Sequence, residues 1–183
     1  MQSKRAEKNS PSMALMAVFL AYALVMGIIE NRIPFDFFVP GVKLGLANVV
    51  ILASIYLFPA RDALKILLMK CLLTAIATGT GFSLLYSLSG GLLSFLAMVT
   101  LAGLPGNPLS PIGVSVIGAV AHNFGQILVA SAVVGALSVM AYLPVLIVSG
   151  VVTGILVGVA AKGLLHLARR HARHVWKKPR KIL

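Results

Sequence analysis

Long apolar runs separated by short polar or proline-bearing breaks dominate the chain. The first run predicts a helix from Met13 to Ile29, closed by the cluster Glu30-Asn31-Arg32 and then Pro34. An aromatic loop from Ile33 to Gly41 follows, and a second span from Lys43 to Phe58 ends at Pro59 with Arg61-Asp62. That span is short and needs snorkelling ends to cross a bilayer. Further spans are predicted from Ala63 to Thr80 and from Phe82 to Leu101, with their boundary near Gly79 and Gly81. Gly103 to Pro111 is rich in proline and glycine and reads as a loop. A fifth span is expected from Ile112 to Leu137, and Pro144 opens a sixth that ends near Leu165. The expected fold is an all-α, polytopic bundle of about six transmembrane helices. Ala21-Tyr22-Ala23 resembles a signal-peptide cleavage site, but the apolar run continues past it, so the segment reads as a retained first helix.

Composition sharpens this picture. Of 183 residues, 59% are hydrophobic and 11% charged, and the mean hydropathy of +0.99 lies far outside the range of soluble domains. Every Asp, Glu, Lys and Arg precedes Cys71 or follows Ala161, so the middle of the chain has no formal charge. The net charge of +12 is concentrated at the ends, in Lys4, Arg5 and Lys8 and in a cluster from Arg169 to Lys181. Such flanks anchor helix ends at a cytoplasmic face and meet anionic lipid, whereas nucleic-acid binding calls for a basic folded surface. An even number of spans puts both basic ends on one side, and Arg61 and Lys65 fit the same side. The expectation is one membrane domain over residues 1–183, with basic cytoplasmic tails at about 1–11 and 167–183, in a bacterial cytoplasmic membrane. The lone cysteine, Cys71, rules out an internal disulfide.

Helices in lipid gain little hydrophobic free energy by pairing, so small residues four apart mark close contacts. Gly150, Gly154 and Gly158 form such a row, for which packing inside the chain is the simpler reading. Ala17 and Ala21, with Ala14 adjoining, form a shorter one. Polar residues inside spans are functional candidates because they are costly in hydrocarbon. Ser115, His122 and Gln126 fall within one arc of the fifth helix at about 100° per residue, with Asn123 at its edge. They suit either a ligand site or hydrogen-bonded contacts between helices. Lys43 stands at the outer, N-terminal end of the second helix, where the helix dipole opposes a cation, so it needs an anionic partner. Glu30, Asp36 or an acidic ligand would serve, and Asn48 could line the same cavity. Lys70 either snorkels or reaches a ligand.

Catalysis by this chain alone has little support. Its four acidic residues form no cluster able to hold the metal that diphosphate chemistry requires, and no Walker-type phosphate loop occurs. Neither a metal nor a cofactor is expected, and any ATP-derived energy would come from another subunit.

The segment Pro40-Gly41-Val42-Lys43-Leu44-Gly45-Leu46-Ala47-Asn48, preceded by Glu30 and Ile33-Pro34, resembles the Gx transporter family, also called heptaprenyl diphosphate synthase component I. Further matching blocks are Ser87-Leu88-Ser89-Gly90-Gly91 with Ser94, and Gly113-Val114-Ser115 leading to His122-Asn123-Phe124-Gly125-Gln126. That family in turn is similar to the S components of energy-coupling factor transporters, six-helix proteins that capture small molecules from outside. The resemblance implies that Ala17-Val18-Phe19-Leu20-Ala21 docks onto a transmembrane coupling subunit, itself bound to ATPases. It also implies that the loop carrying Phe35, Phe37 and Phe38 covers the ligand.

The resulting expectation is a membrane-embedded binding subunit of an uptake transporter for a small, anionic or isoprenoid-related molecule. Its ligand would meet Lys43, Asn48, Lys70, Ser115, His122, Asn123 and Gln126. The alternative is a non-catalytic membrane accessory subunit of heptaprenyl diphosphate synthesis, and a third reading is a carrier that works alone.

Overall fold

The computed structural model describes residues 13–32, 45–78, 81–106 and 109–175. Among the described residues there are six α-helices and no strand. They are α1 (Met13–Arg32), α2 (Leu46–Leu57), α3 (Ala60–Thr78), α4 (Gly81–Ala102), α5 (Pro111–Val134) and α6 (Leu143–Val175). A short 3-10 turn, Leu137–Tyr142, joins the last two.

Local chemistry sets several of these ends. Ser110 caps α5 by accepting a hydrogen bond from the Gly113 N–H at 3.3 Å, and Pro111 occupies the first turn, where its missing N–H costs nothing. Gly135, with φ of 70°, takes the left-handed conformation that favours glycine and ends α5 at Val134, three residues before the expected Leu137. At the other extremes, α1 runs through Glu30-Asn31-Arg32, because Pro34 lies far enough on for the last turn to form. Helix α6 continues ten residues past Leu165 into the basic segment, where no proline or glycine stops it.

Among the described residues, four stretches are long and apolar enough to cross a membrane: Met13–Glu30, Leu84–Ala102, Pro111–Val134 and Leu137–Ala168. Only 22–28% of each is buried inside the bundle. Val18, Ile76, Leu96 and Val148 are among the many large aliphatic side chains pointing outward. Water would penalise such a surface heavily, whereas hydrocarbon does not. The protein is therefore an all-α membrane bundle.

Helix α2 differs from the other five. It has 12 residues, about 18 Å, too short to cross a hydrocarbon core of about 30 Å. It begins at Leu46 rather than Lys43, and every residue from Val49 to Ile55 is buried. Its neighbours α1, α3, α4 and α6 surround it. Phe19 of α1 meets Phe58, just beyond α2, edge to face with ring centroids 4.9 Å apart.

Contacts between successive helices run in opposite chain directions throughout. The end of α1 meets the start of α2 through Glu30 and Gly45, while Phe19 near its beginning meets Phe58. Cys71 of α3 donates to the Ser87 carbonyl of α4 at 3.5 Å, and Leu67 lies against Gly91. Gly90 of α4 abuts His122 of α5, and Met98 abuts Gly118. The row Gly150, Gly154 and Gly158 of α6 lies on Val120, Val116 and Ile112 of α5. The expected packing of that row inside the chain is thus observed. The start of α1 and the end of α6 consequently lie at one end of the bundle, together with the ion-paired turn of Arg61, Asp62 and Lys65.

Candidate functional site

All six helices contribute to one polar cavity of about 60 Å³ inside the bundle. Helix α1 supplies Gly27 and Glu30, α2 Asn48, and α3 Lys70 and Thr74. Ser87, Ser94 and Met98 come from α4, and Ser115, His122, Asn123 and Gln126 from α5. Thr153 and Val157 of α6 complete the wall.

Helical periodicity explains why these side chains converge. On α1 the stripe Phe19, Ala23, Gly27, Glu30 faces inward at spacings of four, four and three, and its last two members reach the cavity. Lys70 and Thr74 are one turn apart on α3. On α5 the arc of Ser115, His122 and Gln126 faces the cavity as a single stripe. Lys70 lines the cavity with its stem beside Gly27, where a Cβ would stand 4.0 Å from Lys70 Cε.

Glycines bring the α4 and α5 walls close enough for this stripe to meet its neighbour. A Cβ on Gly90 would stand 2.8 Å from the His122 carbonyl oxygen, 3.0 Å from its Cε1 and 2.9 Å from Gln126 Cγ. One on Gly125 would stand 2.7 Å from the Ser89 carbonyl oxygen. No side chain fits at either place without moving backbone, so these two positions set the depth at which His122 and Gln126 sit.

Several polar side chains of the cavity have partners in the chain, Asn123 and Glu30 among them. Asn123 Nδ2 donates to the Leu146 carbonyl oxygen at 2.7 Å, tying α5 to the first turn of α6. Glu30, nearly buried, accepts a hydrogen bond through Oε1 from the Gly45 N–H. Gly45 is the N-cap of α2, with φ of 74°, and having no side chain it offers no cap of its own. Glu30 therefore puts a carboxylate on the positive end of α2 from a neighbouring helix. In contrast, Ser115 is 2% exposed and its Oγ has no hydrogen-bond partner among the described residues.

Of the residues singled out from sequence, Asn48, Lys70, Ser115, His122, Asn123 and Gln126 converge here. Lys43, Phe35, Phe37 and Phe38 lie outside the described residues. Ala17 and Ala21 are on the opposite face of α1, exposed together with Val18, Tyr22 and Val25. Sequence reasoning took Glu30 only as a possible partner for Lys43 and missed Thr74, Ser87, Ser94 and Thr153 as lining groups. The spacing of Thr74 from Lys70 was a usable signal. The other three hydroxyls gave none, because Ser and Thr within apolar helices commonly bond back to their own backbone, as Thr153 does to the Gly150 carbonyl at 3.4 Å. Among the described residues, no three His, Cys, Asp or Glu side chains gather as a metal site.

Comparison with curated proteins and with solved structures gives no match. The family model described as heptaprenyl diphosphate synthase component I matches residues 19–164, which contain α2 to α5 in full, the larger part of α1 and α6, and every cavity residue named above. The chain belongs to the heptaprenyl diphosphate synthase component I family.

Proposed function

We propose that this chain is a non-catalytic, membrane-embedded component of heptaprenyl diphosphate synthesis, supporting a separate catalytic subunit. The observation that carries this reading is the family match over residues 19–164. The component name implies a second component, and a scattered set of four acidic residues suits a supporting role better than a metal-dependent one. In this reading the bundle holds the catalytic partner or its long product at a bacterial cytoplasmic membrane. Both basic ends of the chain face the cytoplasm, where a soluble partner is found. Co-expression with the catalytic component tests it: product length or synthesis rate should change when this chain is present in the membranes. Identical products and rates with and without it would refute the role.

A second reading is favoured by the polar cavity inside the bundle together with the outward Ala17–Ala21 face of α1. It is that of an S-component-like subunit of an energy-coupling factor transporter. The ligand would contact Asn48, Lys70, Ser115, His122 and Gln126, with Lys43 and the Phe35, Phe37 and Phe38 loop completing the site. Ala17 and Ala21 would seat a coupling subunit that carries ATPases, since small residues let a partner helix approach. Tagged protein in mild detergent should then recover those subunits, and an Ala17→Leu, Ala21→Leu variant should lose them while keeping its own thermal midpoint. Recovery of a prenyl synthase subunit instead would decide for the first reading. Transport into liposomes by the purified chain alone would displace both in favour of a self-contained carrier. Mass spectrometry of co-purified small molecules, compared between the wild type and His122→Ala, tests the cavity as a ligand site in any of the three.

A further inference from the structure

We infer that the cavity is an oxyanion site, in which Lys70 supplies the charge and Ser115 a buried hydroxyl donor for a carboxylate or phosphate group on the ligand. This rests on reading the cavity as a binding site and names the chemistry it selects.

The argument starts from two opposite charges that line one cavity without pairing. Charged groups enclosed in a membrane bundle are costly unless compensated. The ion pairs formed by the described residues both involve Asp62, paired with Lys65 at 3.0 Å and Arg61 at 3.9 Å, and neither includes Glu30 or Lys70. Glu30 has its compensation: the Gly45 N–H donates to it, and it sits on the positive end of α2. Its charge is taken up in capping a helix that has no other cap. Lys70 has no carboxylate partner among the described residues, and among them its ammonium is the charge of the cavity without a counter-ion.

Ser115 adds an independent observation from the opposite wall. Its hydroxyl is buried on α5, lines the same space and lacks a hydrogen-bond partner among the described residues. Buried hydroxyls are nearly always paired, and an acceptor in the cavity would satisfy this one. Asn48 and Gln126, also on the lining, add amide donors. A cation, a free hydroxyl and amide N–H groups around one cavity suit an acidic group better than an apolar chain. The acidic group can belong to a soluble molecule or to a lipid head group.

The test uses the full-length protein in a neutral detergent, with thermal unfolding as readout and sodium pyrophosphate or short-chain phosphatidylglycerol as probes. Pyrophosphate should raise the midpoint of the wild type and of Lys70→Arg. Lys70→Ala should lose the response, and Ser115→Ala should weaken apparent affinity about tenfold. A response to phosphatidylglycerol alone, equally dependent on Lys70, would identify a lipid head group as the source. If Lys70→Ala does not fold, Ser115→Ala and Lys70→Arg carry the comparison. An undiminished response in Ser115→Ala and Lys70→Ala would overturn the assignment. So would a neutral molecule that co-purifies with the wild type and is lost from His122→Ala, an outcome that leaves the cavity a binding site. If the wild type answers to neither anion and yields no co-purified molecule, the binding reading falls as well.

Discussion

The two halves of this bundle are held together by opposite kinds of side chain. Around α2 the interior is filled by bulk: Val50, Ile51 and Leu52 are almost wholly buried, with Leu67 and the Phe19–Phe58 pair against the same core. Between α4, α5 and α6 glycines thin the contacts, so that Gly125 meets the Ser89 carbonyl and Gly154 and Gly158 meet the backbone of Val116 and Ile112. A short central helix touched on all sides must present large residues in every direction. Long helices that face lipid on one side gain their association from close approach on the other. The polar cavity lies between these two regimes, walled by charged and amide groups from the first half and by the α5 stripe from the second.

If this contrast is right, one half should fail when its residues shrink and the other when they grow. The largest effect is expected for Leu52→Ala, which leaves a void at the centre of α2 and should cost about 3 kcal/mol in detergent unfolding. A loss below about 1 kcal/mol would mean that the centre is loosely packed. Next comes Gly154→Ala, whose added methyl would stand 2.6 Å from Val116 Cα. Only backbone can yield there, and a destabilisation of about 2 kcal/mol should appear in the same assay. An unchanged midpoint would show that α5 and α6 slide apart freely.

Asn123→Ala tests the polar tie across that seam. Losing the bond to the Leu146 carbonyl should cost about 1 kcal/mol, and Asn123→Asp, which keeps the shape without the donor, should not restore it. The smallest effect is the control for the glycine argument. Gly163 on α6 has no neighbour within 4 Å of a new Cβ, so Gly163→Ala should stabilise by about 0.5 kcal/mol through helix propensity alone. A loss comparable to that of Gly154→Ala would mean that glycine matters here for reasons other than contact.

Much of this architecture was legible in the chain. Six helices follow from apolar runs and their breaks, and the Gly150, Gly154, Gly158 row announced a close helix contact from spacing alone. The α5 arc was equally readable, because residues four and seven apart on a helix share a face whatever surrounds it. The depth of α2 was not. Its apolar run looks like a short span, since hydrophobicity is the same for a helix bathed in lipid and one enclosed by other helices. The division of labour among the polar residues was also hidden. Asn123 and Gln126 are both amides on one helix, yet only contact with Leu146 assigns the first to holding α6.

By itself the amino-acid sequence determined the solvent of this protein, the number of its helices and which face of α5 is polar. These depend on composition and on a period of about 3.6 residues, both local properties of a chain. Tertiary structure alone decided that α2 is enclosed, that Glu30 caps it from α1, and that Lys70 shares a cavity with Ser115. Each of those facts joins residues separated by a turn or by whole helices, and a distance across a bundle is written in no local pattern.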